Sequence, residues 1–483
     1  AFAAEAAPGS LPAAARRESR RLLLDTLGVA CGAVGLGPAR LLRAEVVSWG
    51  GVPESSLLAA GQRTSATQAA YVNSYLANLL DADETLVNHA HVANAIVPSA
   101  LAVAERVDAS GAAMLDAIAL GYEIAGRIGV SCRTWQLTKG QPDWSPITGY
   151  SWVAFGVAAA AGRLLGLDAA QMASAFGIAG YSTPIPSIGK WVACDRLPNT
   201  KYVFLGPLAH AGVAAALLAA RGFSGDPEIL DGERGFWRMM GSAACDCDDL
   251  IGGLGERWLL RDVAYKWYPA CRFFHGPLDL LARIMDDEHL EPEAIESVEV
   301  RLPPAATRPY FVNREPADVV EGSFSVPHAF ACLAHRLPVG PAWHADDTLR
   351  RPDIARVRQR VTVTTDPRSA AAIVEQITAP DGGHVYRRCP TSLRLVADGR
   401  IFEASADYAS GDPWTAETTF ADAKLEEKFL AYTSGALGIA WAREALAALR
   451  QIETLDHVGD LPVFAAGARD PTGAMPASLA ASG

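Results

Sequence analysis

The sequence is poor in the residues that mark several common kinds of site. Its eight cysteines are spread over 483 residues, and the closest pair, Cys245 and Cys247, lacks the spacing of a metal knuckle. We therefore expect reduced thiols, a cytoplasmic protein and no metal site. Positively charged residues are also fewer than acidic ones. The 42 lysines and arginines face 54 acids, giving a net charge of −12, which argues against general nucleic-acid binding and against docking on anionic membranes.

Long, strongly apolar runs are absent as well. The richest stretch, 206–221, consists largely of alanine and contains His210, whereas a membrane span needs roughly 20 strongly apolar residues. We interpret it as a buried helix. The first residues also lack an apolar core preceded by positive charge, so no secretory signal is expected. With 50% apolar and 20% charged residues, the chain is typical of a globular protein, and its length favours two domains.

Motifs for bound nucleotides and redox cofactors are missing too. The sequence has no Walker loop, kinase signature or GxSxG, and no GxGxxG between a strand and a helix. We expect no cofactor. The candidates that remain are clusters of acidic, hydroxyl, imidazole and ammonium groups.

The distribution of residue types predicts a mainly α fold. Small and apolar residues with polar breaks predict helices over 17–34, 65–81, 110–128, 152–167 and 201–221. Alternating β-branched and polar residues predict strands in 294–304 and 356–366, and a hairpin over 392–406 that turns at Asp398-Gly399. Helical periodicity returns over 424–449. We expect a large all-helical domain built from both chain ends, 1–265 and 413–483, with a smaller α+β lid inserted at 266–412.

The first candidate cluster contains Asp81, Thr85 and His91. If the helix continues through this segment, Asp81 and Thr85 share one face at i, i+4. An acid beside an imidazole fixes its tautomer and raises its pKa, giving a proton donor or acceptor near neutral pH. The alternative is a helix end with capping acids and two solvated histidines, His89 and His91.

Two further clusters carry positive charge. Lys201 lies just inside a helix start, where it opposes the helix dipole but suits an anion site; the alternative is an exposed surface lysine. Lys266, Arg272 and His275 lie among aromatic residues, and such a local cluster would let an acidic protein bind an anionic ligand. The alternative there is a domain hinge with basic residues on its rim. His328, on an apolar helix, is by itself more typical of a core residue.

Six segments in order resemble one family. They are the LDxDxT-like segment 80–85 with His91, PSALAVAE (98–105), GYEIAGRIG (121–129), AAAAGRLLGLD (158–168), TKxxxxG (200–206) and KWYPACRFFH (266–275). Together they resemble the MmgE/PrpD family, which includes 2-methylcitrate dehydratases, cis-aconitate decarboxylases and iminodisuccinate epimerases. The resemblance extends from about residue 17 to residue 461.

The resemblance implies a helical domain with an α+β lid, a homodimer without metal or organic cofactor, and a pocket between the domains for small di- or tricarboxylates. Asp81, Thr85, His91, Lys201 and Lys266 match family pocket positions. Arg272 matches the basic position of methylcitrate-dehydratase-like members.

The chain also departs from the family pattern. Phe204 stands where many members have histidine, and no histidine precedes Thr148-Gly149. His328 aligns with a pocket tyrosine of decarboxylase-like members. Two imidazoles are thus lost and one is gained, which changes the proton donors and acceptors expected in the pocket and its polarity.

The resulting hypothesis is proton chemistry beside a substrate carboxylate. Lys201, Lys266, Arg272 and His275 would hold the substrate, while His91, oriented by Asp81 and Thr85, would transfer the proton. His328 would be the second acid or base.

We expect a dehydratase of the 2-methylcitrate type, because Arg272 keeps that pattern. Decarboxylation of a cis-aconitate-like acid and epimerisation of an iminodisuccinate-like acid are the alternatives, since all three reactions share one carbanion-like state. A catalytically inactive, carboxylate-binding family member is the non-enzymatic alternative.

Overall fold

A computed structural model describes residues 1–7, 9–86, 90–132, 135–144, 149–184, 188–203, 205–242, 244–379 and 385–466. The fold is mainly helical, as the sequence predicts. The helices of eight or more residues are α1 (Ala13–Ala33), α2 (Gly37–Ser48), α3 (Ala66–Leu79), α4 (Ala93–Arg106), α5 (Gly111–Ser131), α6 (Val153–Leu164), α7 (Ala169–Ser182), α8 (Leu205–Ala220), α9 (His275–Asp287), α10 (Val326–Ala334), α11 (Pro352–Gln359), α12 (Pro367–Thr378), α13 (Asp422–Leu437) and α14 (Ile439–Arg450).

Shorter helical turns connect these helices. Those that bear on the site are Ile188–Trp191, Thr200–Val203, Arg272–Phe274, Val319–Phe324 and Pro341–His344. The strands are β1 (Ser55–Ser56), β2 (Arg63–Thr64), β3 (Trp135–Thr138), β4 (Gln141–Trp144), β5 (Ile295–Leu302), β6 (Val361–Thr365), β7 (Thr391–Ala397) and β8 (Arg400–Ala406).

Small residues let the central helices approach closely. A Cβ at Gly121 on α5 would lie 2.6 Å from the carbonyl oxygen of Gly156, and one at Gly156 on α6 would lie 2.4 Å from that of Gly121. Side chains at these positions would force the helices apart. The helical stretch Thr200–Ala220 is long and apolar enough to cross a membrane, but 62% of its most apolar window is buried in the chain. Burial to this extent is typical of a helix in the core of a protein.

The N-terminal helix α1 packs against the late helix α13. A Cβ at Gly28 would lie 3.0 Å from the ring of Phe429, and the Asp25 carboxylate pairs with the Lys428 ammonium between the two helices. Sequence-distant parts of the chain therefore meet in one core, immediately beneath the segment that carries Asp81.

One four-stranded sheet has the order β6-β5-β7-β8. Strand β5 pairs in parallel with β6 and antiparallel with β7, while β7 and β8 form an antiparallel hairpin. Asp398 and Gly399 turn this hairpin with φ of 50° and 71°, which suits a two-residue loop between twisted strands. The predicted hairpin is confirmed.

Two sequence predictions are wrong in part. Residues 356–366 are not one strand, because α11 runs to Gln359 and only Val361–Thr365 is extended. Ile354, Val357 and Arg358 are buried at helical spacing. The predicted helix 424–449 is broken at Gly438, whose φ of 96° separates the end of α13 from the start of α14.

Candidate active site

The segment after α3 forms a turn, not a continued helix. Helix α3 ends at Leu79, and Asp81 has a φ of 49°, a left-handed conformation that stops a helix. The expected i, i+4 face shared by Asp81 and Thr85 is therefore wrong. Thr85 instead exchanges backbone hydrogen bonds with Ala264, both of 2.8 Å.

Asp83 orients the His91 imidazole. Its Oδ2 lies 2.9 Å from His91 Nδ1, and the same carboxylate accepts hydrogen bonds from the side-chain amides of Asn78 and Asn94. Burial favours a higher pKa for Asp83, but the charge and hydrogen bond of His91, with the Asn78 amide, outweigh it and hold the pKa below its usual value. Because the Asp83 carboxylate accepts from Nδ1–H, Nε2 is the nitrogen left to exchange a proton.

That free nitrogen faces Asp81. His91 Nε2 lies 3.5 Å from Asp81 Oδ1, and the Lys266 ammonium donates to the same oxygen at 2.9 Å and to the Asp81 carbonyl. Burial alone would raise the pKa of Asp81, but Lys201, Lys266 and His91 together lower it. The structure thus brings three other predicted residues, Lys201, Lys266 and His91, together around the Asp81 carboxylate.

Glu84 holds the other end of the turn. Its Oε1 accepts the backbone N–H groups of Val92 and Ala93 at 2.9 and 2.8 Å, where α4 begins. Burial, with the charge of Asp83, raises the pKa of Glu84 to about 8 although both N–H groups oppose the shift. Glu84 therefore positions the residues that follow His91. This role was not predicted from the sequence, because the segment has a helix-like pattern that gives no sign of a backbone contact.

Lys201 enters the site from a short helix, Thr200–Val203, and is buried. Its Nζ lies 3.9 Å from the ring centroid of Tyr202, 4.7 Å from that of Phe324 and 5.3 Å from that of Trp191. Burial lowers the pKa of Lys201, against the attraction of Asp81. Within the described part of the chain, its ammonium has no hydrogen-bond acceptor. The alternative of an exposed surface lysine is wrong.

Arg272 is held by protein groups. It pairs with the Asp412 carboxylate and donates to the carbonyls of Tyr265 and Ser410 at 3.1 and 3.2 Å. With Thr85 it lines a cleft. Its expected substrate contact stays a prediction, because its described contacts are those of an anchor between distant chain segments.

His275 and His328 are also turned toward backbone carbonyls. His275 Nε2 lies 2.9 Å from the oxygen of Ala270, and burial followed by the charges of Arg272 and Lys266 lowers its pKa well below normal. His328 Nε2 lies 2.8 Å from the oxygen of Trp343, and burial lowers its pKa to about 3. No described contact joins His328 to His91 or Lys201, so its role as second acid or base stays a prediction.

His344, which was not predicted from the sequence, lies beside His328. Its ring centroid is 5.7 Å from that of His328, and its Nε2 is 2.7 Å from the carbonyl oxygen of Pro269. Burial lowers the pKa of His344 to about 4, partly offset by the Pro269 carbonyl and the charge of Asp81. No sequence motif marks His344, since its contacts to His328 and Pro269 are made only in the fold.

Tyr150 and Cys271 complete the described surroundings. The Tyr150 ring meets the His91 ring edge to face at 6.1 Å, and burial followed by the charge of Asp81 raises its pKa. Burial and Asp81 likewise raise the pKa of Cys271 to about 12, which keeps it a neutral thiol. Tyr150 directly follows Thr148-Gly149, the pair that a histidine precedes in many family members. This position in the sequence is the signal that could have pointed to Tyr150. His89, 145–148 and Phe204 lie outside the described residues.

Three side chains offer ligand atoms for a metal ion. Asp81, Asp83 and His91 each place one such atom within 4.8 Å of the others. Lys266 already supplies a positive charge 2.9 Å from Asp81 Oδ1, so a metal would compete with this ammonium. The arrangement suits proton transfer, with an imidazole between two carboxylates and two ammonium groups beside it.

Comparison with known proteins identifies the family. The MmgE/PrpD N-terminal domain matches residues 1–245, and the MmgE/PrpD C-terminal domain matches residues 268–454. The chain belongs to the MmgE/PrpD family.

Relatives in this family include curated cis-aconitate decarboxylases. The Homo sapiens enzyme is 26% identical over 476 residues, covering 94% of this chain and 91% of the relative. The Mus musculus enzyme is 27% identical over 459 residues, covering 91% and 87%. The Aspergillus terreus (strain NIH 2624 / FGSC A1156) enzyme is 24% identical over 395 residues, covering 75% and 76%. Lyase activity is thus supported for this MmgE/PrpD protein, and the expectation of a hydro-lyase has no specific support.

Proposed function

We propose that this protein is a carboxy-lyase that removes CO₂ from a small unsaturated polycarboxylic acid of the cis-aconitate type. The observation that carries the proposal is the position of His91 between two carboxylates, with Nδ1 2.9 Å from Asp83 and Nε2 3.5 Å from Asp81, beside Lys201. The cis-aconitate decarboxylase relatives favour CO₂ loss over dehydration, which was the first expectation from the sequence.

The proposed reaction exchanges one carboxylate for one proton. Lys201 binds a substrate carboxylate that stays on the product. The bond from carbon to the second carboxylate breaks, and its electron pair enters the adjacent unsaturated framework as CO₂ leaves. The His91 imidazolium then donates its Nε2 proton to carbon, while Asp83 stabilises the charged ring from Nδ1.

Lys266 and Lys201 have different functions in this proposal. Lys266 is committed to Asp81 through two hydrogen bonds, so it sets the position and charge of that carboxylate. Lys201 has no such commitment among the described residues, and it supplies the cation that recognises substrate. Its aromatic surroundings exclude water, which strengthens the attraction to an anion.

A direct experiment follows substrate and product by ¹³C NMR after cis-aconitate is mixed with the purified protein. We expect CO₂ to be released. The rate of release should fall by at least about 100-fold in the His91→Asn variant. It should also fall in Lys201→Met, through a higher KM. Release of water from a hydroxy acid, with cis-aconitate unchanged, would contradict the proposal and restore the dehydratase interpretation.

We also propose the domain arrangement and assembly expected from the sequence. A helical domain would combine 1–265 with 413–483, and the lid would occupy 266–412. The packing of α1 against α13 through Asp25 and Lys428 supports this arrangement. A cytoplasmic homodimer is part of the same proposal. Sedimentation of the purified chain should give the mass of two copies, and a monomer would contradict the assembly.

A further inference from the structure

Two cysteines that are far apart in the sequence face each other across a backbone bridge. Cys132, directly after α5, and Cys245 form an isolated antiparallel bridge. The N–H of Asp246 donates to the carbonyl of Ser131 at 2.8 Å, so this hydrogen bond lies beside the two cysteines instead of joining them. In such a non-hydrogen-bonded pair, the Cα atoms lie about 4.5 Å apart and the side chains are closest. This separation is within the range of about 4.4–6.8 Å that a disulfide spans.

The two thiols also share a neighbour. Cys245 Sγ lies 3.5 Å from the Ser131 hydroxyl oxygen, and Cys132 Sγ lies 3.9 Å from the same atom. The hydrogen bond from the Cys132 thiol lowers the pKa of Cys245, although burial opposes the shift. Cys132 is buried and Cys245 is partly exposed. An oxidant in solution would therefore meet Cys245 first, with Cys132 directly behind it.

Arg127 on α5 holds the two chain segments in this arrangement. The buried guanidinium pairs with Glu123 at 2.6 Å, and it donates to the carbonyls of Gly252 and Arg257 at 2.9 and 2.7 Å. The chain that follows Cys245 is thus fixed against the helix that precedes Cys132. Joining the two thiols requires little backbone movement, which is the usual obstacle to a disulfide.

We propose that Cys132 and Cys245 are an oxidation site, which hydrogen peroxide converts into a reversible disulfide. The Cys245 thiolate attacks one peroxide oxygen, the O–O bond breaks, and hydroxide leaves, so that Cys245 becomes a sulfenic acid. The Cys132 sulfur then attacks the Cys245 sulfur. The S–S bond forms, the S–O bond breaks, and the hydroxide leaves with the Cys132 proton as water. The two thiols lose two electrons, which reduce the peroxide to two molecules of water.

The disulfide would join the end of α5 to the chain beyond the bridge. It would close a loop of about 110 residues, and cross-linking a loop of this length restricts the unfolded chain strongly. The loop contains Tyr150 and Lys201 of the candidate active site. The oxidised protein should therefore be more stable than the reduced one. In a reducing compartment such a disulfide is transient and responds to oxidants.

The test is a thiol map of the purified full-length protein after treatment with hydrogen peroxide. The remaining thiols are alkylated, and tryptic digestion without reductant should release peptide 128–133 joined to peptide 239–257. We expect the melting temperature of the oxidised protein to be about 2–5 °C above that of the reduced protein. Dithiothreitol should reverse both changes. Oxidised thiols without this joined peptide would overturn the inference.

Matched variants identify the cysteine that is used, because peptide 239–257 contains two. The Cys245→Ser variant should lose the joined peptide and the rise in melting temperature. The Cys247→Ser variant, at an exposed position two residues further on, should keep both. The Cys132→Ala variant replaces Cys245→Ser as the test if the latter does not fold. A joined peptide that survives in Cys245→Ser, or is lost in Cys247→Ser, would contradict the pairing.

Electrophoresis without reductant shows whether the bridge forms within one chain. The oxidised wild-type protein should migrate with the mass of a single chain, because both cysteines face each other in the same copy. A covalent dimer that carries the joined peptide would show that the disulfide links two copies, and the inference would fall. None of these outcomes depends on the reaction that the protein catalyses, so this proposal and the proposed function fail separately.

Discussion

The Lys428 ammonium lies 2.6 Å from the carbonyl oxygen of Ala82. This contact ties α13, near the end of the chain, to the turn between Asp81 and Asp83. Lys266 holds the preceding carbonyl, that of Asp81, in the same way. Two buried lysines thus fix consecutive peptide groups in the turn that presents both carboxylates to His91.

Replacing Lys428 with methionine tests this support. Lys428→Met leaves the buried Asp25 carboxylate without its cation, so we expect a loss of about 3–5 kcal/mol in the free energy of unfolding. Activity should fall as well, because the Ala82 peptide is no longer held. Urea denaturation measures the first effect and kcat the second.

The double variant Asp25→Asn/Lys428→Met is the control. It removes both members of the pair, so it should recover part of the lost stability. A Lys428→Met variant with the stability of the wild type would show that the pair does not hold the turn.

The Asp83→Asn variant keeps His91 but removes the carboxylate that orients it, so it tests the effect of that orientation. The amide preserves the shape of the side chain but no longer stabilises an imidazolium, so we expect kcat to fall by about 100-fold or more. The pH profile of kcat should shift as well, which a purely structural defect would not produce. Asp116→Asn, a buried acid that binds Gly9 and Arg16 elsewhere, is the matched control. A shifted profile in both variants, or in neither, would remove Asp83 from this role.

Glu84 predicts a specific dependence of stability on pH. Its pKa is about 8 in the folded protein and near 4.3 in an unfolded chain. The folded state therefore binds the extra proton, and this contribution is complete below about pH 4 and lost as pH rises through 8. Stability should decline over this window by at most about 1.4 kcal/mol per pH unit.

The Glu84→Gln variant keeps an oxygen for the Val92 and Ala93 N–H groups but cannot titrate. Urea midpoints at several pH values should show that the decline between pH 5 and 8 is smaller in this variant. Parallel curves for both proteins would contradict the assignment.

Gly121 tests the close contact between α5 and α6. Alanine there would place a Cβ 2.6 Å from the Gly156 carbonyl oxygen, so Gly121→Ala should destabilise the protein by about 1–3 kcal/mol. Gly435→Ala lies within α13 with nothing within 4 Å of its Cβ, and should stabilise the protein by up to about 1 kcal/mol. Equal melting temperatures for the two variants would contradict the packing argument.

Local patterns predicted the regular elements well. Ser110 caps α5 by accepting the N–H of Ala113, as its side chain and position indicate. Asp398-Gly399 turns a hairpin because both residues tolerate positive φ. In these cases, the residues that decide the structure lie within a few positions of each other.

The same local reasoning failed where distant groups decide the geometry. Asp81 leaves the helical conformation although its segment has a helical pattern, and Lys266 holds its carbonyl from 185 positions away. The pairing of Arg272 with Asp412 was not predicted, because the two residues lie 140 positions apart. His344 was missed for the same reason.

The candidate site was therefore predictable in part. Motif resemblance indicated Asp81, His91, Lys201 and Lys266, which the fold does bring together. Asp83 and Glu84 lie in the same motif, but their separate functions follow from which atoms they face. Sequence spacing alone does not contain that information.

The most direct test of the central claim is the reaction of cis-aconitate in D₂O, followed by NMR. If His91 delivers a solvent-derived proton as CO₂ leaves, each CO₂ released should accompany one carbon-bound deuterium in the product, and His91→Asn should abolish both together. Deuterium entering recovered acid without CO₂ release would indicate epimerase-like proton exchange and contradict the account.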